Sequence, residues 1–501
     1  MSVRHVRTFA PATLLLVASL IPRLAHAEEA GESAGPMDGA RRHADTSEAS
    51  AAANASVPDD GVDAALRLAD TTSATPAAPA TASGRAVGNA VSNATADGTG
   101  SALDLADASD TSAATSTPAA ATVRPWKLSV ENAVRLSDYQ NAGGSARNQV
   151  SLDVQYAQSL VPSLNVNFSM RFDRFDPLSS KAAPSRSESL IREAYVSWRA
   201  SPLQVVDVGR VNQRVGAGFG YNPTDFFKAG AVNLDVSPDP QSRRTNRLGS
   251  VAVRGQQLWD TGSLSLMLSP RLTRYSAPGD PSASSALQRT NGVNRWMLVG
   301  SQRLSETVQP QWLIYGEQGQ APQFGVNFSA LFGNSIVAYA EWAGGRRQSI
   351  LARTTGVDDR AFRASSAVGA TWTLPNDLSL TAEFQGNGAG ASATQWSALQ
   401  ASNPAAWGRA VQTVTASQEL PARHGVFLMA NWRNVGVRRL DLSGFVQSDV
   451  GAGRQFWVEL RRRFSRFDVA LQWQRQTGAS WNRFGAMPEQ RSVQLVGTFY
   501  E

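Results

Sequence analysis

Few side chains in this sequence could act as acid, base, nucleophile or metal ligand. There is no cysteine, and the four histidines are His5, His26, His43 and His424. That removes thiol nucleophiles, disulfide scaffolds and thiolate zinc sites. A hydrolase of the serine or acid–base kind needs a positioned base, most often histidine. Beyond residue 124 only His424 remains, near Pro421 and Gly425 at an expected loop–strand junction. A surface histidine is the simpler reading. No His/Asp/Glu grouping has metal spacing. Gly216-Ala217-Gly218-Phe219-Gly220 superficially matches a glycine-rich phosphate loop. It lacks the strand-to-helix setting and the Lys-Ser/Thr partner, so a flexible loop fits better. The expectation is no catalytic residue, no metal and no cofactor.

The plentiful functional group is guanidinium. Of 47 basic residues only Lys127, Lys181 and Lys228 are lysine. Their distribution divides the chain. Residues 1–27 read as a signal peptide: Arg4 and Arg7, an apolar run from Phe9 to Ile21, and an Ala25-His26-Ala27 cleavage site. Residues 28–123 are rich in Ala, Ser, Thr and Asp, with 14 acidic side chains against Arg41, Arg42, Arg67 and Arg85. Such a segment buries too little apolar area to offset its ordering entropy. It reads as a disordered acidic spacer in the periplasm, or an arm for a periplasmic partner. Val62 to Ala69 could form two helical turns. From Arg124-Pro125-Trp126 onward there are 27 acidic and 40 basic residues, and every aromatic except Phe9. The secretory signal argues against a nucleic-acid partner for this positive charge.

The elements that must position these groups are strands. From Leu164 to Asp173 apolar and polar residues alternate, as they do over 150–156, 378–385 and 467–474. Alternation places the two sets on opposite faces. The runs are about 9–12 residues, the length of a tilted strand crossing a bilayer. Short connectors such as Val161-Pro162-Ser163, Ser201-Pro202 and Asp260-Thr261-Gly262 swap with long ones near 175–189, 213–245, 346–360 and 389–423. Residues 124–501 therefore read as an all-β, transmembrane antiparallel β-barrel of about 18 strands, from 126–136 to 491–500. Ala406 to Leu420 is assigned to a helix or irregular part of a long extracellular loop, because a strand there would make the count odd. Both barrel ends then lie in the periplasm. Trp126, Trp198, Trp259, Trp312, Trp342, Trp372, Trp432 and Trp473 suit interfacial girdles. The last strand carries Val493, Leu495, Gly497 and Phe499 on one face, as barrels handed to the assembly machinery do. Here Tyr500 and Glu501 stand where a terminal aromatic is usual.

Arg192-Glu193-Ala194-Tyr195-Val196-Ser197-Trp198, Gly209-Arg210 and Asn222-Pro223-Thr224-Asp225-Phe226-Phe227 resemble a stretch of porin-like outer-membrane proteins, alginate-export-type barrels among them. The resemblance covers about residues 192–227. It implies a barrel passing solutes or polymer, with Glu193 and Tyr195 toward the lumen and Arg210 leading into a loop anchored by Asn222 to Asp225. The same motif could equally fold a loop and touch no solute. Alternation adds Arg171, Arg199, Arg254, Arg295, Arg303, Arg433 and Arg461 to the lumen candidates, among carboxylates that include Glu341, Glu383 and Glu459. Loop and turn arginines, Arg243, Arg244, Arg438 and Arg439 among them, could contact lipopolysaccharide phosphates or draw anions inward. The expected function is a passive channel for small hydrophilic solutes, anions included. The alternatives are an export conduit for a polysaccharide and a non-transporting barrel. The expected surroundings are outer-membrane lipids.

Overall fold

The computed structural model describes residues 124–140, 143–231, 237–272, 289–305, 307–449 and 453–501. The expected signal peptide, the expected acidic spacer and the short helix expected over 62–69 lie outside them. Eighteen strands occupy the described chain: β1 (Trp126–Tyr139), β2 (Gly143–Val161), β3 (Leu164–Pro177), β4 (Arg186–Ser201), β5 (Gln204–Val211), β6 (Ser250–Trp259), β7 (Gly262–Ser269), β8 (Arg295–Gln302) and β9 (Gln311–Glu317), followed by β10 (Gln323–Phe332), β11 (Ile336–Arg347), β12 (Ala361–Thr373), β13 (Leu378–Asn387), β14 (His424–Trp432), β15 (Leu440–Asp449), β16 (Gly453–Arg463), β17 (Phe467–Gly478) and β18 (Glu489–Tyr500). Each pairs antiparallel with its sequence neighbours. β18 returns to β1, with Val134 opposite Leu495, so the sheet closes into a barrel without an edge. Closure gives every strand a hydrogen-bonded neighbour on both sides, which is the condition for a sheet to sit in hydrocarbon.

Burial is inverted relative to a water-soluble fold. Leu152, Phe328, Val368, Leu428 and Leu471 are exposed on the outer face, Leu428 at 50%. Ser151, Asp173, Glu383, Gln385 and Gln455 are buried on the inner face, Gln385 at 0%. The expected girdle residues Trp126, Trp198, Trp259, Trp312, Trp342 and Trp372 are all exposed outward. An outer apolar belt around a polar inner wall is the arrangement of a membrane-spanning barrel. An arginine at a mid-belt position such as Leu428 should cost about 2–4 kcal/mol of membrane stability.

The connectors follow the alternation of lengths. One rim carries tight turns such as Val161 to Leu164 and Arg463 to Phe467. The other carries the long loops, whose described residues include helices α1 (Pro240–Thr245), α2 (Ile350–Thr355), α3 (Ala393–Ser402) and α4 (Pro404–Ser417). Helix α4 falls where Ala406 to Leu420 was assigned. Asn403 caps it through the Ala406 N–H, and Pro404 takes the first helical position, where its missing donor costs nothing. Its buried face, Ala410 and Val414, packs with Ile350 of α2 and Trp396 of α3 into a small apolar core over the long-loop rim.

Two features depart from strict alternation. The register slips between Ser169 and Met170, where Glu193 opposes Ser169 and Ile191 opposes Met170. The extra residue, Arg192, is turned inward to Asp153 (2.5 Å) and Ser169 (2.9 Å). This is the re-aiming that a bulge provides. The inner wall is also not uniformly hydrophilic, a correction to the simple picture of a wet centre. Met267, Met297, Leu313 and Tyr315 form one apolar inner patch, and Phe427, Met429, Phe445 and Trp457 another.

Candidate functional site

Those patches are covered by the chain itself. Residues 212–231, between β5 and β6, fold into the lumen as a strap. Val215 and Phe227 pack on the first patch, and Phe219 on the second. Phe226 stacks on Tyr315 at a ring distance of 4.6 Å. Aromatic faces in such contact add about 0.5–1.5 kcal/mol beyond burial.

Two glutamates of the wall hold the strap by its backbone. The Glu341 carboxyl on β11 accepts from Gly218 N (2.5 Å) and Thr224 Oγ1 (2.9 Å). Glu383 on β13 accepts from Phe219 N (2.7 Å), Tyr221 N (2.9 Å) and the Tyr339 hydroxyl (2.7 Å). The glycine-rich run thus presents its N–H groups to carboxyl oxygens built into the barrel. It is tethered, unlike the flexible loop its composition suggests. Glycine is needed for the approach. A Cβ on Gly218 would stand 2.3 Å from Tyr221 O, and one on Gly220 would stand 2.5 Å from the Phe427 ring.

The Asn-Pro-Thr-Asp turn locks the far end. Asn222 Oδ1 accepts from Asp225 N (3.1 Å), and its amide donates to Val215 O (2.7 Å). Asp225 is buried and paired with Arg247 at 2.5 Å; Arg247 also donates to Asn212 Oδ1 (2.7 Å). Removing either member of such a buried pair would leave an uncompensated charge. Lys228 donates to Asn222 O and lies 4.6 Å over the Tyr221 ring. Burial pushes Tyr221 up to about 12, so it stays neutral. Behind the strap, burial opposes ionisation of Glu419, but Arg353 and Arg347 outweigh it and hold that carboxyl below its usual range.

The other side of the lumen is left to the inner faces of β15–β18 and β1. Gln447, Gln455, Gln472, Gln474, Gln476 and Gln494 line it. The register places Gln455 beside both Gln447 and Gln476, and Gln472 beside Gln494. One cavity runs here from the long-loop rim, near Arg147 and Met487, past Gln455 and Gln476. A second reaches Glu131, Asn431 and Ser443 toward the short-turn rim. The two share Trp457, Gln472 and Gln494 as walls. Helix α1 overhangs them. Asp239 caps it by accepting from Ser242 N (2.7 Å), and Arg244 fixes it to Gly216 O (2.6 Å).

Arg243 of α1 lines the first cavity and, among the described residues, has no carboxylate within ion-pair distance. Its Nε donates to the Ser237 carbonyl (3.4 Å). Burial and the like charge of Arg483 pull its guanidinium down to about 10, so it is cationic at neutral pH. Nothing in the local pattern of a six-residue helix marked Arg243 out from the other loop arginines.

The lumen candidates fall into three sets. Arg171, Arg254, Arg295 and Arg461 face inward and are held. Arg171 meets Glu131 (2.8 Å) and Asp173 (3.0 Å), and Arg254 meets Asp207 (2.7 Å). Arg295 lies 4.4 Å over Phe227, and Arg461 meets Glu459 (2.8 Å). Arg171 and Arg461 also line the second cavity. Glu193 and Tyr195 are half-buried on inward positions of β4, while Asp225 anchors the strap. Arg210, opposite Val251 in the register, reaches Gly249 O (2.9 Å) at the base of the long loop. Arg199, Arg303 and Arg433 lie at the short-turn rim, beside the ends of β4, β8 and β14. Arg438 and Arg439 lie on that rim too, in the turn before β15, away from the long loops.

No protein-family model matches the chain, and no curated protein matches it. Among solved structures it is similar to Acinetobacter baumannii OccAB4 at 10% identity, covering 75% of this chain and 97% of that one, with a TM-score of 0.45. Pseudomonas aeruginosa OccK5 (OpdH) is similar at 10% identity over 76% and 99%, with a TM-score of 0.46. Pseudomonas aeruginosa OpdL is similar at 9% identity over 75% and 98%, with a TM-score of 0.47.

Proposed function

We propose that the protein is an outer-membrane, porin-like channel that passes small hydrophilic solutes passively and favours anions, and that it is not an enzyme. The observation that carries this reading is the pair of adjoining cavities along β15–β18, sharing Trp457, Gln472 and Gln494. Carboxamides offer both donor and acceptor without fixed charge, so they can replace a solute's hydration shell without holding it. The strap narrows the lumen to this side. The cationic Arg243 overhangs it and raises the local concentration of anions. Short turns toward the periplasm would place the acidic spacer there and the long loops outside, the usual arrangement of such barrels.

The test is conductance of purified protein in planar bilayers under a potassium chloride gradient. The reading expects a steady open channel whose reversal potential has the sign of chloride preference. A channel silent until residues 212–231 are deleted would instead fit a gated polymer-export conduit. Silence in both forms would fit a non-transporting barrel.

A further inference from the structure

The outer face of β12–β15 carries small residues at Ala370, Ala382, Ala430 and Gly444, with Ala370 opposite Ala382 and Ala430 opposite Gly444 in the register. They floor an apolar groove flanked by Trp372, Trp432 and Trp473. At the short-turn end of the groove's strands stand Arg438 and Arg439 before β15, Arg462 one residue from the end of β16, and Arg466 before β17. Arg462 shares the outward parity of the exposed Val458 and Leu460 and lies 5.8 Å from the Phe464 ring. Phe464 in turn stacks on Phe467 at 4.3 Å.

Among the described residues none of these four arginines has an ion-pair partner, and the nearby Asp441 is held by Arg463 at 2.7 Å. The turns after β2, β10 and β12 carry no basic residue. The cationic cluster and the groove therefore coincide at one corner of the barrel.

We propose that this corner binds an anionic phospholipid of the leaflet that meets the short-turn rim. One acyl chain fills the groove over Ala382 and Ala430. The phosphate diester is met by Arg438, Arg439, Arg462 and Arg466 at the depth of the Phe464–Phe467 stack. Wide apolar grooves with a one-sided cationic end match a lipid's own polarity, and guanidinium is the side chain suited to phosphate. The assignment rests on the barrel spanning a bilayer with its short turns toward the phospholipid leaflet. It does not depend on which solute the lumen passes.

The experiment offers delipidated full-length protein equimolar phosphatidylglycerol and phosphatidylethanolamine in mixed micelles and reads retained lipid by native mass spectrometry. Wild type should retain the glycerol lipid by about tenfold or more over the ethanolamine lipid, the scale set by a few arginines near an anionic surface. Replacing the four arginines with glutamine should bring the ratio to about unity. Ala430→Phe, which occupies the groove and spares the arginines, should lower retention of both lipids. Equal retention by wild type overturns the proposal, as does a four-arginine variant with unchanged preference. Lipid A displacing phosphatidylglycerol from the same arginines overturns the assigned occupant. Heat-modifiable gel mobility and bilayer conductance in the same variants report barrel and channel separately, so failure here is distinguishable from failure of the channel reading.

Discussion

The two halves of the inner wall solve opposite problems. From β6 to β13 the wall presents Met267, Leu313 and Tyr315 together with Glu341 and Glu383, and the strap covers all of them. From β16 to β18 it presents the amides of Gln455, Gln472, Gln474, Gln476 and Gln494 along an open cavity, and among the described residues the strap meets this side only at Gln447, Phe445 and Trp457. Apolar surface and buried carboxyls are costly facing water-filled space or lacking partners, so the first half requires an occupant. Uncharged amides satisfy themselves with water or solute, so the second half does not. The difference teaches that one ring of alternating strands can be part receptor and part conduit, divided by what its inward side chains demand.

The largest effect should come from removing the receptor. In Glu341→Ala/Glu383→Ala the strap loses its hydrogen bonds to two buried carboxyls, each contributing about 0.5–1.5 kcal/mol. Single-channel conductance should rise severalfold, and strap arginines such as Arg214 should become open to trypsin. Unchanged conductance would break the contrast between the halves. Next comes Gly218→Ala, whose methyl would meet a backbone carbonyl and should cost about 1–3 kcal/mol, read as a lower melting temperature and noisier current. Gly497→Ala, with nothing within 4 Å of its Cβ, should be silent. A smaller effect belongs to the conduit half: Arg243→Gln should move the reversal potential toward zero, and Arg243→Glu should carry it past. If both leave anion preference intact, the cation that matters is elsewhere.

The smallest effect is a pH dependence within the strap. Burial pulls Lys228 down from 10.5 to about 8, with Asp225 and Glu341 opposing that pull. Between those values the unfolded chain binds more protons than the folded one. Stability should therefore rise as pH climbs from about 8 toward about 10.5. Lys228→Met should flatten that part of the melting-temperature profile.

Much of this was legible in the sequence, because alternation is a local signal. Leu164 to Asp173 announces its own two faces, and the strand count, the rims and helix α4 follow from such runs. Asn222 to Asp225 announced a turn by composition. The rest is non-local. Glu341 and Glu383 read as two more inward carboxylates, since nothing near them names Gly218 or Tyr221, more than a hundred residues away. Arg192 has lipid-facing parity and is turned inward only by a bulge that depends on its partner strand. Arg199, Arg303 and Arg433 have lumenal parity, yet parity does not report height along the barrel axis, and they sit at a rim.

A chain without cysteine allows the central division to be read directly. Single cysteines at Gln472, Gln494, Leu471 and Leu495 can be placed in protein reconstituted in liposomes and exposed to a membrane-impermeant, water-soluble maleimide. Rapid labelling at 472 and 494 with protection at 471 and 495 is the predicted result. Protection at both glutamine positions, or equal labelling at all four, would contradict a water-filled conduit along β17 and β18.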